Sequence, residues 1–363
     1  MILPDSNDNQ EIFNNDYKKI ILKNGIFDLD IMEFSNHTSK ILSTIKHPIF
    51  YDTTKKCPKF DRFLDSCFDG DVTRITQVLE MMALCFVKKY IIQKGYVNYG
   101  IGSNGKSTFL AILRNMLGIQ HTSSIPMQQF QNSQFVGFEL RGRCANISAD
   151  GGTEPITKTG FIKGVLGGDS VRCEQKFRDA FDFVPFTTMI FTFNELPVVL
   201  DSSDGFARKI QTIHWDQRFY GDKIDREIDN LPYDSDERSG IFNKLLPIMK
   251  RLIDQRKLTY ESTVEETKQV WLARSDSFFR FKNEKIIFGM DYTIDTNKIK
   301  EVYSKFCEEN GMRPVGSNVL FNKISEILNG EKPKPTRIDG KSVRAWYGIT
   351  IHSELRPDNQ QEL

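Results

Sequence analysis

No apolar run in this sequence approaches the ~20 residues that a membrane-spanning helix needs. The densest stretch, Met81 to Val87, stops at Lys88-Lys89, so no membrane is expected among its partners. The N-terminal stretch MILPDSNDNQ lacks the basic start and apolar core of a secretory signal, which points to a cytoplasmic, reducing location. The six cysteines form no C-x-x-C pair and read as free thiols. Neither sign of charge dominates: 49 Lys+Arg stand against 48 Asp+Glu, so the chain has no global electrostatic footprint for nucleic acid. Internal repeats are absent as well. What remains is an ordinary composition, 39% hydrophobic and 27% charged over 363 residues, enough for a large core and for two or three domains.

Apolar residues around Asn24-Gly25, within Ile20 to Phe34, predict a β-hairpin whose tight turn uses positive φ angles. From Cys57 to Tyr90 the apolar residues recur every three to four positions, the spacing of packed helices. Short apolar strands are then expected around Tyr96–Tyr99, Ala145–Ser148, Thr188–Phe193 and Ile210–His214, alternating with helical or turn-rich stretches as in an α/β domain. The polar segment Leu231 to Gly240 reads as a surface loop. The chain beyond it reads as mostly helical to Leu328, followed by two short strands around Asp339-Gly340. Residues 311–350 hold seven Lys/Arg against three Asp/Glu, and helices followed by a basic hairpin have the outline of a winged-helix-like module. The expected division is 1–92, an N-terminal hairpin and helical collar; 93–230, an α/β core; and 231–363, a C-terminal helical, winged-helix-like domain.

The strongest chemical signal is YGIGSNGKSTFLAILRNML, which runs from a short apolar strand through a glycine-rich loop into an amphipathic helix. Gly100, Gly102, Ser103, Asn104 and Gly105 form a loop whose backbone N–H groups can turn around phosphate. Lys106 brings a positive charge to the terminal phosphates, and Ser107, followed by Thr108, offers a hydroxyl to Mg²⁺. The order predicts a P-loop binding ATP with Mg²⁺.

Three later elements narrow the chemistry. RCANISAD is an apolar strand ending in Asp150, 44 residues after Lys106, where an acid can hold Mg²⁺ or polarise the attacking water. TTMIFTFNELP is another such strand, ending in Asn194, which suits orientation of that water. Taken singly, a strand-terminal Asp or Asn is more often a cap or turn residue, but this order after a P-loop favours chemistry. Between the two strands, GGDSVRCEQKFRDAFDFVPF predicts a hairpin with Lys176, Phe177 and Arg178 near its tip, an aromatic between cations that suits single-stranded DNA. In DSSDGFARKIQTIHW, Arg208 is placed to reach the γ-phosphate of a neighbouring subunit in a ring.

The order NGKSTF, LRGRCANISAD, GGDSVRCEQKFRDAFDF, FNELP and DGFARK, preceded by KNGIFDLD and CPKFDRFL, resembles the superfamily 3 helicases, in the branch of poxvirus-type and satellite-phage-type primase-helicases of phages, plasmids and large viruses. The resemblance covers nearly the whole chain. It implies an α/β, P-loop AAA+-like ATPase core and a homo-oligomeric, hexameric ring moving 3′ to 5′ on single-stranded and forked DNA in replication of a mobile element. It implies the host cytoplasm if the gene is a phage's, and a primase or initiator as a candidate partner. In that family the counterparts of Lys106 and Ser107 bind ATP and Mg²⁺. Asp150 matches the second nucleotide motif, Asn194 the sensor, Arg208 the intersubunit arginine and Lys176 the DNA-translocating loop. Where the family often carries two adjacent acids, this chain has Ala149-Asp150, with Glu154 and Glu195 as candidates to compensate. Lys334, Arg337, Lys341 and Arg344 are expected to contact duplex or forked DNA. The rival readings are an ATP-regulated replication initiator or DNA-binding scaffold with little unwinding, supported by the single acid and the basic 332–344 segment, and a P-loop kinase, for which no acceptor or lid signature is present.

Overall fold

A computed structural model describes residues 13–351, apart from 132–135, 150, 153, 174–179, 200, 202, 222–225, 311, 313 and 339. Near the start, three short strands pair antiparallel in the order β1 (Lys19–Ile21), β2 (Ile26–Asp28) and β3 (Glu33–Ser35). The expected hairpin is therefore present, with a third strand added. Its turn differs in cause from the expectation, because neither Asn24 nor Gly25 takes a positive φ. Glycine is required at 25 by close approach instead: a Cβ there would stand 2.3 Å from the Ser35 carbonyl oxygen.

Two helices follow, α1 (Pro58–Phe68) and α2 (Val72–Leu84). Pro58 opens α1, where its missing N–H costs nothing. Asp71 caps α2 by accepting from the N–H groups of Thr73 and Arg74. Phe60, Phe63, Leu64, Cys67 and Phe68 form the buried face of α1.

The central sheet has five parallel strands in the order β10-β4-β9-β6-β5. These are β4 (Gly95–Tyr99), β5 (Thr122–Ser123), β6 (Ala145–Ser148), β9 (Thr188–Phe193) and β10 (Ile210–His214). Every residue of β4, β6 and β9 is buried, as expected of parallel strands covered on both faces. Helix α3 (Lys106–Leu117) leaves the sheet directly after β4. Between β6 and β9 lie α4 (Gly160–Gly167) and a two-stranded hairpin, β7 (Val171–Cys173) with β8 (Phe181–Phe183), in which Val171 pairs with Phe183. A short turn of helix, α5 (Asp204–Ala207), precedes β10.

Residues 235–240 of the segment read as a surface loop, Leu231 to Gly240, are in fact the start of the longest helix, α6 (Ser235–Gln255). Asp234 is its N-cap, accepting from the N–H groups of Asp236 and Glu237. Glu237 is buried, and its carboxylate accepts the N–H groups of Lys59 and Phe60, both at 3.1 Å, in the first turn of α1. One carboxylate thus satisfies donors that α1 cannot satisfy for itself. We expect Glu237→Ala to cost about 2–3 kcal/mol, the range for buried hydrogen bonds to a charged acceptor. Urea unfolding checks this, and an unchanged midpoint would remove the role given to Glu237.

The chain divides into two units, Met1–Lys268 and Gln269–Leu363. The divisions expected at 92/93 and 230/231 both fall inside the first unit, where one hydrophobic core runs from Ile20 through Met116 and Ile190 to Leu258. Helix α7 (Val264–Ser275) crosses the boundary. In the second unit the elements are α8 (Ser277–Lys285), β11 (Ile286–Asp295), α9 (Thr296–Glu309), α10 (Ser317–Ile327), β12 (Lys334–Ile338) and β13 (Lys341–Ile351). The strands form one sheet in the order β11-β13-β12 around a core that includes Phe281, Ile299, Tyr303, Trp346 and Ile349. The two strands expected around Asp339-Gly340 are present. The run to Leu328 is mostly helical as expected, and strand β11 interrupts it: its pairing with β13, broken by an irregularity between Phe288 and Thr293, overrides the local pattern. All six cysteines are free and buried, and among the described residues no helix is long and apolar enough to cross a membrane.

Candidate functional site

Parallel pairing brings three strand ends to one edge of the sheet. Gly100, the first residue past β4, donates its N–H to the carbonyl of Phe193, the last residue of β9, at 3.2 Å. On the other side of β9, the N–H of Gly151 donates to the Thr192 carbonyl at 2.8 Å. The loop after β4, the exposed Asn194 and the segment that follows β6 therefore share one edge, the C-terminal edge at which open α/β sheets take their ligands.

The loop conformation explains its glycines. Gly100 and Gly105 have φ of 150° and 88°. A Cβ on Gly100 would lie 2.1 Å from the Trp215 carbonyl oxygen, and one on Gly105 would lie 2.5 Å from Cys67 Sγ. Gly102, by contrast, faces open space. Gly105 caps α3, so Lys106 and Ser107 are its first two residues, with N–H groups directed out of the helix. The Lys106 ammonium is buried and donates to the Gly100 carbonyl and, at 3.0 Å, to Asn104 Oδ1. Ser107 is exposed at the helix mouth, and Thr108 is half-buried behind it.

A brace on this loop has no signal in the sequence, because its partners are more than a hundred residues away. Asn104 Nδ2 donates to the Trp215 carbonyl at 2.9 Å, and the Phe219 N–H donates to the Ser103 carbonyl at 2.8 Å. The Trp215 indole in turn donates to Asn98 Oδ1 at 2.9 Å. The chain leaving β10 thus grips both the loop and the strand that carries it.

Arg208 lies elsewhere. It ends α5 just before β10, whose first residue, Ile210, pairs with Gly95, the first residue of β4. Arg208 is therefore at the opposite end of the strands from the loop, roughly 17 Å away at about 3.3 Å per residue. Its side chain is exposed, and its carbonyl accepts from Lys94 Nζ at 2.7 Å. The segment leading to it is tied to α4 by Asp201, which pairs with Lys163 at 2.8 Å and accepts from Thr159. The Lys163 ammonium, then Ser203 and Thr159, hold the Asp201 carboxyl well below the ordinary carboxylate range.

Asp150 and the hairpin-tip residues Lys176, Phe177 and Arg178 lie outside the described residues, although β7 and β8, which would carry that tip, are paired as expected. Glu154 is exposed. Among the described residues no group of three or more His, Cys, Asp or Glu gathers as a metal site. In the second unit Lys334, Arg337, Lys341 and Arg344 are all exposed on β12 and β13. The register, Lys334 opposite Ala345 and Arg337 opposite Ser342, puts Lys334 and Lys341 on one face of the ribbon and Arg337 and Arg344 on the other. They are two pairs and not a single patch.

With this geometry in view, comparison with known proteins finds two family matches. Residues 98–209, from within β4 to the residue before β10, match a "Family of unknown function (DUF5906)", and residues 5–69 match "D5 N terminal like". A protein of Invertebrate iridescent virus 3 is 27% identical over 220 residues, 55% of this chain and 23% of that protein. One of Acanthamoeba polyphaga mimivirus is 24% identical over 208 residues, 54% of this chain and 22% of its own length. Both carry helicase in their names. The chain spans under a quarter of the length of these viral relatives. Among solved structures, the apo A form of the NrS-1 C-terminal region aligns with a TM-score of 0.46 at 15% identity, covering 85% of this chain and 80% of that one. The mixed α/β first unit, with its parallel five-stranded sheet, fits a P-loop-like core, and just over half of the chain is similar to helicase-named viral proteins.

Proposed function

We propose that this chain is an ATP-dependent DNA helicase of the superfamily 3 type, acting as a head-to-tail homo-oligomeric ring, hexameric by family resemblance, in replication of a phage, plasmid or viral element. The observation that carries the reading is the strand order β10-β4-β9-β6-β5, with the phosphate loop, Asn194 and the end of β6 at one edge and Arg208 at the other. ATP lies along the N-terminus of α3, its phosphates held by loop N–H groups and by Lys106, which must leave the Gly100 carbonyl to reach them. The exposed Ser107 hydroxyl and Asp150 are the residues that would hold Mg²⁺, which when bound neutralises charge developing on the phosphates. Asn194 orients the attacking water. Because Arg208 cannot span the length of its own strand, it serves the nucleotide of the next subunit. Closure of that interface draws the Lys176–Arg178 tip along single-stranded DNA, with Phe177 against a base or sugar.

The second unit contributes duplex or fork contacts. Its chain order, helix, strand, two helices and two strands with a β11-β13-β12 sheet, supports the winged-helix-like reading. The Arg337 and Arg344 pair on one face of the β12–β13 ribbon is the better candidate for phosphate contact. Unwinding of forked DNA with ATP and Mg²⁺ tests the reading. DNA-stimulated hydrolysis with strand separation is the expected result. ATP binding with site-specific duplex binding and no unwinding would replace it by the initiator reading.

A further inference from the structure

At the Arg208 end of the sheet, away from the phosphate loop, the first unit has an open cavity of about 570 Å³, within the range of small-ligand sites. Its wall carries Lys94, Arg208, Lys209, Arg256 and Lys257 against a single carboxylate, Glu261. This is a steep local imbalance in a chain whose total charge is only +1. Three separate pieces of chain deliver these cations: the residues entering β4, the residues entering β10, and the end of α6, where Arg256 sits in the left-handed conformation with φ 49°. Glu261 is already committed, pairing with the buried Lys94 at 2.8 Å, while Lys94 also holds the Arg208 carbonyl. The Lys209 ammonium is pushed below its ordinary value by burial first, and also by Arg208 and Lys94, with Asp169 acting the other way. The cations crowd one another, so an anion entering the cavity would relieve that repulsion.

We propose that this cavity receives the phosphate groups of a nucleotide bound to an adjoining copy of the chain, with Lys209, Arg256 and Lys257 contacting those phosphates beside Arg208, and Lys94 fixing the arginine's backbone. The inference rests on the ring reading above and adds residues to it. A triphosphate suits the site because the anion must be compact and highly charged. Among the described residues no aromatic side chain lines the cavity to stack a base, as single-stranded DNA would use. The cavity's own subunit cannot supply the ligand, since its phosphate loop is at the far end of β4. Heterologous packing around a ring brings the loop of one copy to this face of the next.

The test uses the full chain carrying Arg256→Gln with Lys257→Gln, both exposed positions. Turnover is expected to fall at least about tenfold, as for loss of a donor to developing charge, while a fluorescent ATP analogue still binds the variant's own phosphate loop, more weakly by the contacts that the neighbour no longer makes. Arg256→Lys with Lys257 intact should keep most of the activity. Mixing the double variant with Lys106→Ala should restore roughly a quarter of interfaces, one half times one half, in a head-to-tail ring. Turnover near wild type overturns the inference. So does a loss matched by an equal loss of single-strand affinity, which would give the cavity to DNA. If Arg208→Ala is rescued by Lys106→Ala but the double variant is not, with subunit exchange shown for both, this inference falls and the ring reading stands. If neither is rescued, the trans arrangement fails and this inference with it.

Discussion

Lys106→Ala is expected to lower ATP turnover by at least about a hundredfold, the scale of losing a charged donor aimed at developing negative charge. The fold should survive. The buried ammonium donates to the Gly100 carbonyl and to Asn104, two groups of its own loop, so losing these two bonds should loosen the loop while the pairing of β4 with β9 and β10 remains. Steady-state hydrolysis together with thermal unfolding is the measurement. Near-wild-type hydrolysis in a variant that melts normally would end the assignment of this loop to nucleotide phosphates.

Arg208→Ala should bind ATP normally and hydrolyse it about a thousandfold more slowly, the lower range for an arginine supplied in trans. The side chain is exposed, and the bond from Lys94 is received by the residue's carbonyl, which alanine keeps. Mixing decides the geometry. An Arg208→Ala subunit offers an intact phosphate loop to the intact arginine of a Lys106→Ala neighbour, so equal amounts should rebuild about one interface in four. A mixture that stays inactive, with subunit exchange demonstrated separately, would count against action between subunits.

Much of this site is legible in the amino-acid order alone. The Ala145–Ser148, Thr188–Phe193 and Ile210–His214 strands stand where the apolar runs put them, because largely buried parallel strands are short, continuous and bounded by turn residues. The glycine loop proposed to hold phosphates is marked by the transition from strand to glycines to helix. Local reading fails where tertiary partners decide. Asp234-Ser235-Asp236-Glu237 reads as a loop because it is polar, yet it is a cap followed three residues later by Glu, and its carboxylate is used by a helix about 180 residues earlier in the chain. Thr122-Ser123 is too short to show a period, and it becomes a strand only by lying beside Ala145 and Asn146. The grip of Trp215 and Phe219 on the loop, and the gathering of Lys94 and Arg256 about Arg208, join residues whose separation in sequence hides them.

Strand β10 has a different role at each tip. Its entrance carries Arg208, and its exit, through Trp215, holds Asn104 and so the rest position of Lys106. Five residues in register with β4 make a stiff rod between the two. In the proposed ring, a push delivered by a neighbour's nucleotide at one tip would arrive at this subunit's own loop at the other, so the order of firing would be carried by the sheet itself.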